Sequence, residues 1–324
     1  MILDESDFWE WLEDLGLPRV ADDTFADVYP FGDQVVDANA SKLKFSAFIV
    51  SEDAKKVAIL DPHLVVSSYN KDPASSFKHK TISYRLADLS SYVDEKIRYY
   101  NDLKGNRLLN LEPIGLPVPN LVFLSYACKC SGADRNASVC LTLARAFAAD
   151  MDGQLASFEV LRNKIGTQIY WNIFQMFDDG FISRAEIANA VDQFIVRFPA
   201  HDQATKAREM HANLSRMIKE DAEHSTRKRP PSDSSVDRID ELIFLLRDQH
   251  GIQSSCPGKC DILDKSLDGP AKELLQIGET ARPKLRAIID DTRLSRAVEC
   301  RQFTCFSHRV LTIGECARQI LSAQ

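Results

Sequence analysis

One eight-residue phrase occurs twice in the last fifty residues. Leu275-Gln276-Ile277-Gly278-Glu279-Thr280-Ala281-Arg282 returns as Leu311-Thr312-Ile313-Gly314-Glu315-Cys316-Ala317-Arg318, and Leu285 is matched by Leu321. The offset is 36 residues throughout. A fixed period in this range is the spacing of helix-pair repeats, because a single pair cannot bury its apolar face and must stack on a neighbour. The phrase therefore predicts a helical C-terminal region. It speaks of architecture and carries no catalytic residue.

A chain of 324 residues has room for two or three structural units. Its formal charge of −7 argues against nucleic acid as a general partner, which would call for a basic domain or stripe. From Ala281 onward, however, eight Arg or Lys residues face four Asp or Glu. That local excess reads first as a mixed solvated surface and second as a face for an anionic partner. The acidic start, Met1-Ile2-Leu3-Asp4-Glu5, lacks the features of a secretory signal, and no apolar run reaches the ~20 residues of a membrane span. The expectation is a cytoplasmic protein, off the membrane, whose eight cysteines are thiols.

Periodicity divides the chain into four segments: an α/β module over 1–86, a helical-hairpin region over 87–224, a linker over 225–236 and a C-terminal unit over 237–324. Phe8, Trp11, Leu12 and Leu15 place an amphipathic helix over 4–15. Short runs rich in β-branched and aromatic residues, 43–50, 56–60, 64–69 and 80–84, predict a small antiparallel sheet from about residue 33 to 86. Helical spacing then takes over. Helices are expected near 89–100, 119–130, 136–150, 154–177, 184–198 and 203–222, with a proline-rich connector at Pro113, Pro117 and Pro119. Ser225 to Ser235 is polar and broken by Pro230-Pro231, as a linker is. Ile239, Leu242, Ile243 and Leu246 define one more helix before the repeat. The fold class is mainly α, a stack of helical hairpins with a small N-terminal module of short antiparallel strands.

Few motifs carry chemistry. Asp179-Gly180 and Glu186 resemble the second half of an EF-hand, but the first and third ligand positions fall on Gln175 and Phe177. A turn followed by a Ser183-x-x-Glu186 capping box accounts for the same residues. Gly258-Lys259-Cys260 is not a phosphate loop, since the spacing is wrong and Cys260 stands where Ser or Thr is needed. Cys256, Cys260, Cys300 and Cys305, with His308 nearby, supply enough soft ligands for a tetrahedral zinc site, although the spacings are not the commonest ones. The alternative is that they are small buried hydrophobes. Cys305 and His308 are also close enough in sequence to be weighed as nucleophile and base, but nothing local supplies an orienting partner.

Residues 271–291 resemble a HEAT repeat: Leu274-Leu275-x-Ile277-Gly278-x-x-Ala281-x-Pro283-x-Leu285-x-x-Ile288-Ile289-Asp290-Asp291, with Arg293 after the Asp turn. In that family one helix ends near such an apolar-Gly step and a second begins near Ala-x-Pro-x-Leu; Pro283 suits its first turn. The wider pattern, through Phe306-Ser307-His308 and Val310-Leu311, is similar to a group of bacterial HEAT-like proteins. It departs from the family at 294–309, which is longer and less regular than a family turn, and at Gln319, where Pro283 stood in the first copy. The resemblance implies an α-solenoid-like scaffold with a protein partner and a terminal cap. The expected contact residues are Arg293, Arg296, Arg301 and His308, in the irregular stretch between the two copies.

Overall fold

The computed structural model describes residues 4–30, 45–61, 64, 66–70, 82–105, 117–149, 155–178, 182–226, 235–255, 258–300 and 308–324. The chain is mainly helical, with eleven α-helices among these residues and a small antiparallel sheet. It divides into two units, Met1–Ile169 and Tyr170–Gln324. That is a coarser division than the four segments read from sequence.

In the first unit, helix α1 (Glu5–Asp14) starts at a reciprocal cap in which the Asp4 carboxylate accepts from Asp7 N–H at 2.9 Å. Its Phe8 and Leu12 are fully buried. Strands β1 (Phe25–Pro30), β2 (Phe45–Glu52), β3 (Lys56–Leu60), β4 (Val66–Asn70) and β5 (Ile82–Leu86) form one antiparallel sheet in the order β4-β3-β2-β1-β5. Four strands lie where the apolar runs predicted them. The sheet begins earlier than expected, however, because Phe25–Pro30 is itself a strand and pairs with both β2 and β5. Flanking Asp22, Asp23 and Pro30 give this segment the look of a loop, yet Phe25, Ala26 and Val28 are all buried. Burial between two partner strands outweighs weak local propensity.

Helices α2 (Leu89–Gly105), α3 (Pro117–Cys130) and α4 (Asp134–Ala148) follow. Pro117 and Pro119 sit in the first turn of α3, where a missing N–H breaks no intrahelical bond, so the helix starts two residues before the predicted 119. Nearly every side chain of α3 from Pro117 to Cys128 is buried, so this helix is apolar all round and lies inside its unit. Its Phe123 ring lies 5.3 Å from Phe48 of β2. α4 packs along α3, and the Ser125 hydroxyl donates to the Ala137 carbonyl at 2.6 Å. Helix α5 (Phe158–Asp178) contains the division between the units and contributes Phe158, 5.3 Å from Phe8, to the first.

In the second unit, α6 (Arg184–Arg197) and α7 (Ala204–Thr226) pack as a pair through Ile187, Val191, Phe194, Ala207, Leu214 and Met217. The predicted capping box opens α6: Ser183 N–H donates to Glu186 Oε2 at 2.8 Å, and Glu186 N–H donates to Ser183 Oγ at 3.2 Å. Asp179 and Gly180 lie outside the described residues. Helices α8 (Ser235–Leu245), α9 (Pro270–Ile277), α10 (Arg282–Ala287) and α11 (Ile313–Ala323) enclose a core of Ile239, Leu242, Leu246, Leu274, Leu285 and Ile320.

The stretch expected to be irregular is largely a hairpin. Strands β6 (Leu294–Cys300) and β7 (His308–Thr312) pair antiparallel, with a register shift between Leu294 and Val298. Ala297 is buried on β6, and Val310 and Leu311 are buried on β7.

The two copies of the phrase consequently differ in structure. In the first, Gly278 ends α9 at φ 67°, with open space where a Cβ would stand. In the second, Leu311 is in a strand and the helix begins at Ile313. Gln276 of the first copy is replaced by Thr312 in the second. Thr312 Oγ1 accepts from Glu315 N–H at 3.2 Å, and Glu315 Oε2 accepts from Thr312 N–H at 2.9 Å. This reciprocal cap requires a short hydroxyl side chain and starts a helix where the first copy finishes one. Gly314 is required for a separate reason: a Cβ there would stand 2.4 Å from the Ile289 carbonyl oxygen. Gly314→Ala is expected to destabilise the protein by about 1–3 kcal/mol through overpacking, and Thr312→Ala by about 1 kcal/mol through loss of the cap. Urea unfolding midpoints at unchanged slope measure both.

Candidate functional site

Of the expected contact residues, Arg293, Arg296 and His308 are engaged in internal contacts. α7 carries two adjacent carboxylates, Glu220 and Asp221, and three arginines from other elements converge on them. Arg247, in the short turn after α8, is fully buried; its Nη1 donates to Asp221 Oδ1 at 2.5 Å and its Nη2 to Glu220 Oε2 at 2.9 Å. The same guanidinium lies 3.8 Å over the Phe244 ring, and its Nε donates to the Phe244 carbonyl at 3.0 Å. Arg184 Nη1 donates to Asp221 Oδ2 at 2.8 Å and its Nη2 to Asp248 at 2.6 Å. Arg293 Nη1 donates to Glu220 at 3.1 Å, while its Nε and Nη2 grip Asp291.

Arg296 is 6% exposed, and its Nη2 donates to the Ile182 carbonyl at 2.7 Å. Neither Arg293 nor Arg296 presents an open guanidinium face. Arg301 lies outside the described residues. Burial alone would raise the Glu220 and Asp291 carboxyls, but hydrogen bonds from the surrounding arginines outweigh it and hold both below their ordinary values. The same balance fixes Glu315, where the Thr312 N–H and Arg309 overcome desolvation. Arg309 ties the hairpin to α11, donating to Glu299 at 2.7 Å and to Glu315.

The cysteines separate into two groups. Cys260 and Cys316 belong to the apolar core of the unit, and burial pushes their thiols up to about 11 and about 12. Both are thiols rather than thiolates at neutral pH. Gly251 is needed beside Cys260, since a Cβ there would stand 2.3 Å from its sulfur. Cys300, in contrast, is directly opposite His308 across the β6–β7 pair. The side-chain amide of Gln253 binds the Cys300 backbone as a further strand would, accepting from its N–H and donating to its carbonyl, both at 2.8 Å. Gly258 N–H adds a bond to the same carbonyl at 3.2 Å. Cys256 and Cys305 lie outside the described residues.

His308 Nε2 accepts from the Trp171 indole N–H at 3.1 Å, and burial lowers its pKa. The imidazole is therefore neutral with its proton on Nδ1. A metal at this ring would have to displace either that proton or the indole. Among the described residues no three His, Cys, Asp or Glu side chains converge as a metal site requires.

Sequence reading missed a polar pocket of about 360 Å³ in the first unit, lined by Asp27, Ser46, Asp88, Ser91, Tyr92 and Glu95 among others. Asp27 was hidden with the unrecognised strand β1. Asp88 caps α2: it accepts from Ser91 Oγ at 2.7 Å and from Ser90 N–H at 3.0 Å, and the Ser91 hydroxyl holds its carboxyl below the ordinary range. No helix among the described residues is long and apolar enough to cross a membrane. No protein-family model, curated protein or solved structure matches the chain.

Arg247→Ala is expected to cost about 3–5 kcal/mol, because two carboxylates lose a fully buried counter-charge; chemical denaturation measures it. Glu220, Asp291 and Glu315 have folded values below their ordinary 4.5, 3.8 and 4.5. Their contribution is complete above about pH 5 and is lost as pH falls through those lowered values. Unfolding midpoints between pH 7 and pH 2.5 should fall through this window, and the fall should be shallower in Arg293→Ala.

Proposed function

We propose that the chain is a non-catalytic scaffold of helical pairs that holds a protein partner. The observation that supports this most is the mutual neutralisation of the C-terminal unit: Arg184, Arg247, Arg293 and Arg296 are turned onto Glu220, Asp221, Asp248, Asp291 and backbone carbonyls. Such a network holds four elements in register and leaves none of these four cations presented to an anionic substrate. The resemblance of 271–291 to a HEAT unit is in keeping with two short helices, α9 and α10, meeting at Gly278 over a shared core. Paired helices such as α6 and α7 offer a surface on which side chains like Val196, 66% exposed, stay available for contact.

Cross-linking mass spectrometry on the intact chain in its native extract tests the reading. One partner, cross-linked reproducibly through the exposed Lys206 or Lys219 of α7, is expected, with capture weakened by Val196→Glu at unchanged stability. Capture indifferent to that substitution would move the contact off the α6–α7 pair, and absence of any reproducible partner would defeat the scaffold reading. Retention on a polyanion column should not change in Arg293→Ala; a loss of several-fold, steeper at low salt, would restore the anion-binding reading.

A zinc site is the second reading, favoured by one observation: Cys300 and His308 are cross-strand neighbours, with Gln253 and Gly258 both bonded to the Cys300 backbone. The scaffold reading expects less than 0.1 zinc per chain (roughly, after dialysis against a chelator). Stoichiometric zinc, with a change in Trp171 emission on its removal, would establish the alternative.

A further inference from the structure

We propose that the pocket between β1, β2 and the start of α2 binds a small aliphatic polyamine. The proposal concerns the first unit and is independent of the partner reading. The floor of the pocket is a polar pair set into an apolar sheet face. Asp27 of β1 and Ser46 of β2 are directly opposite in the strand register. Two residues along the same face stands the cross-strand pair Phe25 and Phe48, fully buried, with ring centroids 5.2 Å apart and with Tyr92 and Phe123 packed against them. Ser46 is 6% exposed, and its hydroxyl donates to Asp27 Oδ1 at a long 3.4 Å. A hydroxyl also has two lone pairs with which to accept. This one fronts a cavity of about 360 Å³, at the lower end of the range that holds small-molecule ligands.

Helix α2 supplies the wall. Ser91, Tyr92, Glu95 and Lys96 follow Asp88 at helical spacing, so all five line the cavity along one stripe. Three acidic side chains against one lysine make the lining suited to a cation. The helix start is closed to an anion, because the Asp88 carboxylate already takes the Ser90 N–H and the Ser91 hydroxyl. A single metal ion is also a poor fit: Asp88 and Glu95 are two turns and about 10 Å apart along the axis, and among the described residues no three acidic, His or Cys side chains converge as ligands. Negative charge is spread along the pocket, and an aromatic ring lies between its ends. The complementary ligand is an extended cation with ammonium groups at its ends and an alkyl middle. One ammonium donates to Asp27 and Ser46 at the floor, a second pairs with Glu95 at the mouth, and the chain lies on the Tyr92 ring. That ring already receives an ammonium, for Lys96 Nζ stands 5.1 Å from its centre. A ligand amine therefore competes with Lys96 for the same face.

The test is isothermal titration calorimetry of the intact protein with spermidine, butylamine and magnesium chloride. Physiological salt is used, so that long-range attraction to the net charge of −7 is screened. The expected result is one spermidine per chain, bound in the micromolar to submillimolar range, more tightly than butylamine and without displacement by magnesium. Asp27→Asn and Glu95→Gln should each weaken binding by about ten-fold, the loss of one charge-assisted hydrogen bond. Lys96→Met should tighten it several-fold by removing the competing cation. Asp268→Asn and Lys272→Met, in an ion pair of the second unit, change the net charge equally and should leave binding as it was. No spermidine binding, a stoichiometry well above one, or equal competition by magnesium would overturn the proposal. So would a loss in Asp268→Asn as large as in Asp27→Asn. Should Asp27→Asn fail to fold, Glu95→Gln and Lys96→Met decide the question, since they must move the affinity in opposite directions.

Discussion

Arg247 places a full positive charge where water does not reach, and the C-terminal unit is arranged around that fact. Its side chain has no solvent exposure, so the charge is stable only if neighbouring carboxylates are brought to it. Glu220 and Asp221 on α7 do this, and Arg184 and Arg293 then share the same two carboxylates from α6 and from the approach to β6. Four elements distant in sequence are thereby held to one point. The His224 ring and the Arg247 guanidinium both lie against Phe244, which closes the cluster on its apolar side.

The same cluster accounts for the inward engagement of Arg293, which stands out in the sequence. A local excess of positive residues after Ala281 is real, but part of its compensation comes from carboxylates far away in sequence: Glu220 of α7 for Arg293, Asp240 for Lys284 and Asp248 for Arg296. Local charge counting cannot see them. Sequence distance is likewise a poor guide to which cysteines and histidines are neighbours. Cys260 follows Cys256 closely in sequence, yet its sulfur is packed beside Gly251 in the core. Cys300 instead meets His308, because strand register, not sequence distance, decides which side chains are neighbours.

Much of the helical architecture was legible. Amphipathic stripes located α1 and α2 and the run from α4 to α8 to within a few residues, since apolar residues recurring every 3.6 positions share one face only when the backbone is helical. The Ser183–Glu186 cap was legible because its chemistry is contained in four residues. Strand β1 and the β6–β7 hairpin were not. Their identity depends on partners elsewhere in the chain, and each borders residues that locally favour turns. The pocket beside Asp27 was lost along with β1.

The repeated phrase separates the two kinds of information. By itself the sequence determined that the repeat region is helical and that the first copy's apolar-Gly step stands at a helix end. Those are properties of a few adjacent residues. Only the tertiary structure decided that one copy closes a helix while the other leaves a strand and opens one. At Gly278 the surroundings are empty and the backbone is free to take a positive φ. At Gly314 the turn around Ile289 and Asp291 presses so close that no side chain fits, and the Arg293 and Asp291 carbonyls receive the first N–H groups of α11. Identical residues adopt different structures because backbone hydrogen bonds and steric contact come from whatever the rest of the chain places beside them.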